Sequence, residues 1–555
     1  MNTFKKIFSK AKDYTGTLIV KGKVFKDVSM KISPESVTLN GYSDDSIPIC
    51  DISDLVFQNQ TLSFYNKEER FKFESEQSQQ AYESLKGYVI DKTIFKSHGA
   101  LYYIYNSGTR KFDLHEHTVD VKIIFDCDFF IKIDDAGQLL HYEQIKTKTQ
   151  YYLDNNHKSF VWSVFKDSAF HTFCIEFKEN LDFLDFCSKY VECCYKSVNE
   201  EGNHEYFKNI STVSLQIDEN EDAKNENWTD YEPHEPIKNE FNTNKKVNEK
   251  LIMGNNQVFV SRGSSLGVFD LTADDLEFRT HVQNVLNEPD KILGYNQDQS
   301  LLVLDKNSKD QLQLLDLNRG EVIEKWDVGT EMNDYFNSQK GNNCGTLIGL
   351  SDYSLFRIDP RSKEKVVQKN EYKTKNQFSA GISTTKGDVA VASKKGDLRL
   401  YNKIDKRAKS LLPGFGDEVI GIDSSSNGSL VLCTCQNYIL LYSVGSDYSK
   451  SLGKEKETPK RLQLKPQHLS LMNNDVSFTP AKFDCNDSLI VTSTGRYVVK
   501  WRVADVLKGN MYNYSLKALY DVIVDENFIV NGDDIVVALP NDVKKMTEND
   551  LKKPN

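Results

Sequence analysis

Two short motifs in the sequence pair side chains of the kind that bind metal ions. His115 and His117 are two residues apart, so an extended backbone would direct both imidazoles to one side. Cys433 and Cys435 would present two thiols in the same way. A zinc site needs three or four protein ligands, and neither pair has a further partner at ligand spacing. We therefore interpret the histidines as solvated loop residues and the cysteines as small core residues, and we predict no metal site.

No segment has the pattern of a phosphate-binding or catalytic loop. In the run from Gly381 to Gly387, Lys386 precedes the last glycine, whereas a Walker loop has Gly-Lys-Ser/Thr and opens a helix. Gly414-Phe415-Gly416 lacks the third glycine of a dinucleotide-binding turn. We expect no catalytic residues, no cofactor and no enzyme. Converging histidines and carboxylates inside the C-terminal half are the remaining enzymatic alternative.

Three lysines in the first predicted hairpin are the best candidates for binding. Lys21, Lys23 and Lys26 follow an apolar run that ends at Val20. Clustered ammonium groups bind multiply charged lipid head groups, and the same groups suit an acidic peptide. Lysines are also common on every protein surface, so the second interpretation is an ordinary solvated hairpin.

The composition describes a large acidic chain of ordinary globular type. Its 555 residues suggest three or four domains, and its net charge of −11 argues against nucleic acid as the main partner. The 10 cysteines lack the spacing of a disulfide framework, which favours a reducing compartment. The sequence has no apolar run of roughly 18 residues and no signal-peptide pattern. We expect a cytoplasmic protein, with peripheral membrane contact as an alternative.

Residues 1–12 have the pattern of a short amphipathic helix. Phe4, Ile7, Phe8 and Ala11 share one face, and lysines surround it. Two interpretations are open: a basic helix that lies on an anionic membrane, or a segment that packs back on its own domain or frays at this length.

Residues 1–95 and 96–198 each show a series of short alternating strands followed by one helix. The first helix is predicted to begin at Ser75. The second is predicted from Asn180 to about Tyr195. Its predicted buried face, from a spacing of three or four residues, consists of Leu181, Leu184, Cys187 (or Ser188), Val191 and Cys194. This plan is typical of a pleckstrin-homology-like barrel, so we predict two such domains, each with a C-terminal helix.

Residues 199–248 form a predicted flexible acidic linker. Nine acidic residues stand against two lysines between Asp218 and Glu240, with few aliphatic residues to order the segment. An acidic docking peptide around Trp228 is the alternative function for this segment.

From residue 249 to 545 a pattern of short strands and tight turns repeats. Gly396-Asp397 and Asn427-Gly428 each separate two apolar alternating runs, which is a hairpin signal. A three-residue tag near one strand end recurs at intervals of 41 to 46 residues, and a lysine-rich loop from Ser449 to Lys465 lengthens the last interval to 59. The tags are Phe269-Asp270-Leu271, Leu315-Asp316-Leu317, Ile358-Asp359-Pro360, Tyr401-Asn402-Lys403, Tyr442-Ser443-Val444 and Trp501-Arg502-Val503.

This period predicts a WD40-like β-propeller. A four-stranded blade takes about 40–45 residues, so residues 249–545 hold about seven blades, and six or seven remain open. The irregular last unit, from Val522 to Leu539, is expected to close the ring by pairing with a strand near residue 250. Residues 546–555 are predicted to be a tail.

Several of these segments resemble a known family. The similar blocks are Phe259–Gly263, Leu266–Phe269, Gly349–Ser351, Ser354–Arg361, Lys395–Tyr401, Gly421–Asp423, Ile490–Trp501 and Val536–Pro540. They resemble the C-terminal domain of the vacuolar import and degradation protein 27 family, and Ser159–Trp162 is similar to that family's pleckstrin-like module.

The resemblance implies a cytoplasmic, non-enzymatic protein linked to moving gluconeogenic enzymes to the vacuole for breakdown, and it implies no catalytic residues. We therefore expect an interaction scaffold that binds protein partners through the propeller and does not bind nucleic acid. The alternative is a peripheral membrane adaptor whose first barrel binds phosphoinositides through Lys21, Lys23 and Lys26.

Overall fold

A computed structural model describes the chain in segments. They are residues 12–33, 36–43, 45–48, 52–66, 69–86, 93–125, 128–198, 241, 246–272, 276–342, 345–452, 457–470, 472–529 and 534–547. The predicted N-terminal helix up to residue 11 and the predicted linker up to residue 240 lie outside the described residues. Within the segments above, no helix is long and apolar enough to cross a membrane. The contacts divide the chain into two units, residues 1–102 with 115–145 and residues 103–114 with 146–555.

The first domain is a seven-stranded sheet with one helix. Its strands lie in the order β4-β3-β2-β1-β7-β6-β5, and β1 pairs antiparallel with both β2 and β7, as β2 does with β3. Alternation along the strands buries Leu18, Val28, Met30 and Phe71 on the inner face. The elements are β1 Lys12–Val20, β2 Lys23–Ile32, β3 Ser36–Asn40, β4 Ser46–Pro48, β5 Ile52–Gln58, β6 Thr61–Asn66, β7 Glu69–Glu74 and α1 Ser78–Lys86.

The second domain has the same strand order with one insertion. The order is β12-β11-β10-β8-β15-β14-β13, and the extra strand β9 pairs with β8. The elements are β8 Thr93–Asn106, β9 Lys111–Leu114, β10 Val119–Phe125, β11 Phe129–Asp135, β12 Gln138–Gln144, β13 Gln150–Asp154, β14 Ser159–Lys166, β15 Ala169–Glu176 and α2 Asn180–Lys196. The predicted pair of similar barrels, each followed by a helix, is confirmed.

The predicted buried face of α2 is wrong in part. Leu181 is 79% exposed and Leu184 is 37% exposed. The helix instead buries Phe183, Phe186 and Tyr190, and the last two pack on Phe160 with ring centroids 5.0 and 4.6 Å away. Aromatic rings bury more apolar area than leucines, so they determine which face turns inward.

The C-terminal half consists of seven antiparallel sheets in sequence order, which confirms the propeller and settles its blade count at seven. First strands of neighbouring blades contact one another, so they are innermost. The first four blades are β16 Lys250–Met253, β17 Gln257–Arg262, β18 Ser265–Leu271 and β19 Leu276–Val282; β20 Pro289–Tyr295, β21 Ser300–Asp305, β22 Ser308–Asp316 and β23 Glu321–Asp327; β24 Asp334–Asn337, β25 Leu347–Leu350, β26 Ser354–Ile358 and β27 Val366–Glu371; and β28 Phe378–Ser383, β29 Val389–Ser393, β30 Leu398–Tyr401 and β31 Ser410–Leu412.

The last three blades carry the irregular features of the ring. They are β32 Val419–Ser424, β33 Leu430–Cys435, β34 Ile439–Ser443 and β35 Lys460–Leu462; β36 Lys482–Phe483, β37 Leu489–Thr494, β38 Tyr497–Arg502 and β39 Tyr514–Ala518; and β40 Asp525–Phe528, β41 Ile535–Leu539 and β42 Asp542–Met546. Two short helices, α3 Pro466–Leu469 and α4 Val503–Leu507, belong to this part. The lysine-rich stretch is not only a loop, because it contains β35, the outer strand of the fifth blade. Every predicted tag begins on the third strand of its blade.

Ring closure differs from the prediction. The strand near residue 250, β16, is the inner strand of the first blade and does not join the last sheet, which has three described strands. The buried Arg262 instead donates to the carbonyl of Pro540 (2.9 Å) and to Oδ1 of Asn541 (3.0 Å). Asn248 donates to the carbonyl of Leu539 at 2.7 Å. Side-chain hydrogen bonds thus join the first and last blades without a shared strand.

Candidate functional site

The three predicted lysines lie on one exposed hairpin. The β1–β2 turn consists of Lys21 and Gly22, with φ values of 50° and 74°, as a two-residue turn of this kind requires. Lys21, Lys23 and Lys26 are all exposed. Val24, between them, is 58% exposed. The hairpin therefore presents an apolar side chain flanked by ammonium groups, which is an arrangement suited to an anionic surface.

One of these lysines has an acidic neighbour. The Nζ of Lys21 lies 2.5 Å from Oε1 of Glu69, the first residue of β7. The hydrogen bond and the charge of Glu69 raise the pKa of Lys21 above its ordinary value. A bound anion would have to compete with this carboxylate, so Lys23 and Lys26 are the more available charges of the hairpin.

The two predicted ligand-type pairs have different environments. Cys433 and Cys435 are buried in β33, and burial raises both thiol pKa values, that of Cys435 to about 12, which confirms their assignment to the core. His115 and His117 lie together beside a third side chain, Asp135, at the end of β11. Sequence spacing missed Asp135, because strand pairing and not local sequence brings it there.

Two carboxylates at the starts of inner propeller strands, Asp334 on β24 and Asp525 on β40, have structural partners. Asp334 pairs with Lys291 (2.5 Å) and accepts the backbone N–H of Gly381 (2.9 Å). Asp525 pairs with Lys482 (3.2 Å) and likewise accepts the N–H of Leu251 (3.0 Å). These two acids therefore join inner strands of neighbouring blades.

A buried arginine joins the second barrel's C-terminal part to the propeller. Arg461, on β35, is 4% exposed, and its Nη2 donates to the carbonyls of Thr147 (2.7 Å) and Thr149 (3.3 Å). Its guanidinium carbon also lies 4.3 Å from the ring centre of Tyr438 and 5.0 Å from that of Tyr151. These are hydrogen-bond and cation–π contacts of a single desolvated cation.

Further contacts with the propeller come from β13 and from α2 of the second barrel. Gln150 donates to the carbonyl of Asn437 at 2.6 Å, and Tyr512 donates to the carbonyl of Tyr151 at 2.8 Å. From α2, Val191 and Tyr195 belong to the apolar core of the fourth and fifth blades. Residues 146–198 and the propeller are thus packed as one body.

One end of the propeller carries the exposed side chains best suited to a partner. In a four-stranded antiparallel blade, the turn between strands two and three lies at the same end as the connection to the next blade. We call this end the upper face. Its turns are residues 263–264, 306–307, 351–353, 394–397, 436–438, 495–496 and 540–541.

On the upper face, Tyr353 is 45% exposed. The Nζ of Lys375 lies 5.6 Å from its ring centre and 2.7 Å from Oδ2 of Asp352, so a charge pair borders the ring. A concavity of about 500 Å³ on the same face, at the first and second blades, is bordered by Lys246, Val247, Glu249, Gly263, Asn287, Glu288 and Lys306. Exposed tyrosine beside mixed charge is typical of protein-binding surfaces.

Comparison with known proteins agrees with this architecture. The family profile described as the VID27 C-terminal WD40-like domain matches residues 244–555, which is more than half of the chain. The profile described as the VID27 PH-like domain matches residues 92–197. Both profiles cover the parts of the chain that the strand orders identify as propeller and second barrel.

Curated relatives carry the same name. Vacuolar import and degradation protein 27 of Schizosaccharomyces pombe is 34% identical in an alignment 349 positions long that covers 56% of this chain and 43% of that protein. The Saccharomyces cerevisiae protein of that name is 26% identical in an alignment 528 positions long that covers 82% of this chain and 67% of that protein. The β-propeller domain of Myceliophteria thermophila Cps50 (Swd1) aligns at 10% identity and a TM-score of 0.45, over 55% of this chain and 97% of that one.

Proposed function

The chain belongs to the vacuolar import and degradation protein 27 family, and on that basis we propose that it is a non-enzymatic interaction scaffold whose propeller binds protein partners. It takes part in vacuolar import and degradation, the process in the relatives' name, with cytosolic enzymes as the cargo.

The observation that supports this function best is the upper face in the first three blades. Tyr353 is half-exposed there on a rigid ring, and the concavity around Val247 lies on the same side. Residues 146–198 pack against the fourth to sixth blades, so this barrel segment and the exposed patch belong to different sectors of the ring. A rigid ring with loops at one end loses little conformational freedom when it binds.

Affinity capture with the full chain tests this proposal. Wild type, Tyr353→Ala and Val367→Ala are compared, because Val367 is 48% exposed on the outer strand of the same blade and serves as the control. We expect partners retained by wild type and Val367→Ala to be lost with Tyr353→Ala. Identical recovery by all three proteins would contradict binding by the upper face.

A second candidate function is a peripheral membrane adaptor, and the exposed β1–β2 hairpin favours it. Val24 is the most exposed large apolar residue described in the first barrel, and it stands among the three lysines. An apolar tip with a basic border adds hydrophobic to electrostatic attraction at an anionic bilayer.

Liposome sedimentation of the full chain with phosphoinositide-containing vesicles tests this candidate. We expect Lys21→Glu/Lys23→Glu to lose binding, whereas Lys31→Glu/Lys111→Glu makes the same charge change at exposed positions elsewhere and retains it. Equal loss of vesicle binding in both variants would show a non-specific charge effect and would contradict specific binding by the hairpin.

A further inference from the structure

Three side chains with metal-binding groups converge on one point of the second barrel. Nε2 of His115 lies 3.0 Å from Oδ2 of Asp135, and Nδ1 of His117 lies 3.2 Å from the same oxygen. One donor atom from each of the three residues lies within 4.8 Å of the others. Two imidazoles thus approach a single carboxylate oxygen from one short segment, while the carboxylate comes from another.

The backbone holds the three residues in place. The N–H of His115 donates to the carbonyl of Tyr102 at 2.8 Å, which fixes the segment after β9 against β8. Asp135 ends β11 and stands opposite Gln138 in the β11–β12 pairing. The side chains of His115 and Asp135 are 29% and 21% exposed, and that of His117 is 69% exposed. The cluster therefore joins the short loop between β9 and β10 to the end of β11, and its most exposed member, His117, faces solvent.

The charged residues beside Asp135 pair with one another and do not compete with the two histidines for its carboxylate. Asp134, the residue before Asp135, faces Lys122 and Lys132, with Nζ–Oδ2 distances of 3.5 and 3.7 Å. Its carboxylate is thus neutralised by lysines, whereas that of Asp135 faces the two imidazoles.

The donor set and its spacing fit a zinc-type ion. Metal–ligand bonds of about 2.0–2.1 Å in a tetrahedron place ligand atoms roughly 3.4 Å apart. The two nitrogen–oxygen separations, 3.0 and 3.2 Å, are close to this value. Imidazole-rich sets favour zinc, nickel and copper over magnesium or calcium, which prefer oxygen ligands. We propose that His115, His117 and Asp135 bind one divalent transition-metal ion of the zinc class, with a fourth position open to water or to a partner's donor atom.

The position of the site gives the ion a structural role. Asp135 begins the tight turn to β12, and the carbonyl of Gly137 in that turn accepts hydrogen bonds from Tyr65 and from Nη1 of Arg70, the latter at 3.1 Å. A metal bond to Asp135 would fix the base of this hairpin, two residues from those contacts. The ion therefore holds the segment 115–117 and the hairpin that contacts the first barrel in one arrangement.

Calorimetric titration of zinc chloride into the untagged full chain tests the proposal, after treatment with a chelator. The protein carries Cys485→Ser, because that cysteine is exposed and its thiol binds zinc by itself. We expect one ion per chain, and at least tenfold weaker binding in His117→Ala and in Asp135→Asn. His117 is the most exposed of the three, so its replacement leaves the fold intact.

Two other histidines provide matched controls. His98 lies 2.7 Å from Asp120 and His157 lies 2.8 Å from Asp154, and neither pair has a third ligand among the described residues. Binding should survive His98→Ala and His157→Ala. Zinc should also raise the midpoint of thermal unfolding of wild type but not of His117→Ala. Absence of one-to-one binding, or binding unchanged in His117→Ala and Asp135→Asn, would overturn the proposal.

Discussion

The two pleckstrin-homology-like barrels share one strand order but differ in the connection between their first two long strands. In the first barrel, Lys21-Gly22 joins β1 to β2 as a two-residue turn. In the second, the corresponding connection from β8 to β10 holds an extra strand, β9, and ends in the His115–His117 segment. The same place in the topology thus presents lysines in one domain and histidines in the other.

The contacts beside this connection also differ between the two barrels. In the first barrel, Phe25 of β2 packs edge-on against Tyr42, which follows β3, at 4.9 Å between ring centres. In the second, the loop histidines contact Asp135, which ends the equivalent strand β11. An aromatic contact in one copy is a polar cluster in the other, so the fold alone does not determine what this corner of a barrel binds.

The far sides of the two barrels also differ. The segment from β13 to α2 in the second barrel packs on the propeller around Arg461. The hairpin of the first barrel keeps exposed lysines and an exposed Val24. One copy of the fold thus packs into a larger structural body, while the other keeps an exposed hairpin edge.

Replacing Arg461 should have the largest effect. Arg461→Ala leaves the carbonyls of Thr147 and Thr149 without their donor and removes a cation from aromatic rings, which should cost at least about 3 kcal/mol in the free energy of unfolding. Arg502→Ala, at an exposed position, is the control and should cost less than about 0.5 kcal/mol. Urea unfolding of both variants measures this, and equal midpoints would refute the importance of the junction.

Acid should destabilise the second barrel through His141, whereas the first barrel contains no histidine. Burial lowers the pKa of His141 to about 4, so the unfolded chain takes up the proton first as the pH falls below about 6.5. Stability should therefore fall by up to about 3 kcal/mol between pH 6.5 and pH 4.

The comparison of His141→Gln with His171→Gln isolates this contribution, because His171 is exposed. The stability of His141→Gln should depend less steeply on pH over this range, and that of His171→Gln should follow wild type. Thermal unfolding across the pH range measures both slopes; identical slopes would show that His141 is not the responsible group.

Glycine substitutions at the two hairpin tips should differ in cost. Gly22 and Gly137 both have positive φ, 74° and 86°, so alanine at either costs about 1 kcal/mol in backbone strain. A Cβ at Gly22 would meet nothing within 4 Å, whereas one at Gly137 would lie 2.5 Å from Nη1 of Arg70. Gly137→Ala should therefore cost about 1 kcal/mol more, the value of a displaced hydrogen bond. Equal melting temperatures would show that the Arg70 contact contributes nothing.

The smallest effect should come from Glu69→Gln. This substitution removes the charge of Glu69 and frees Lys21 from an exposed ion pair. Because exposed ion pairs contribute little, thermal stability should not change measurably. Binding to phosphoinositide vesicles should rise about twofold, because one more ammonium group faces the bilayer. Glu74→Gln, exposed on the same strand, is the control. A similar rise in both would point to net charge instead of the hairpin.

Sequence patterns correctly predicted structural features that depend on residues close together in the chain. Alternation and turn residues at Gly396 and Gly428, both with positive φ, located the propeller hairpins correctly. The assignment of Leu181 and Leu184 to the buried face of α2 was wrong. The spacing of apolar residues does not show whether aromatic or aliphatic side chains are the ones that become buried. Asp135 and Arg461 depend on partners far away in sequence, and no local signal marks either of them.

Hydrogen–deuterium exchange of the full chain, alone and with a partner recovered through the propeller, measures where that partner binds. We expect added protection in the upper-face turns of the first three blades, above all around Tyr353, with α2 unchanged. Protection confined to the first barrel's hairpin, or to the channel-lining strands, would contradict a scaffold that binds proteins through the propeller face.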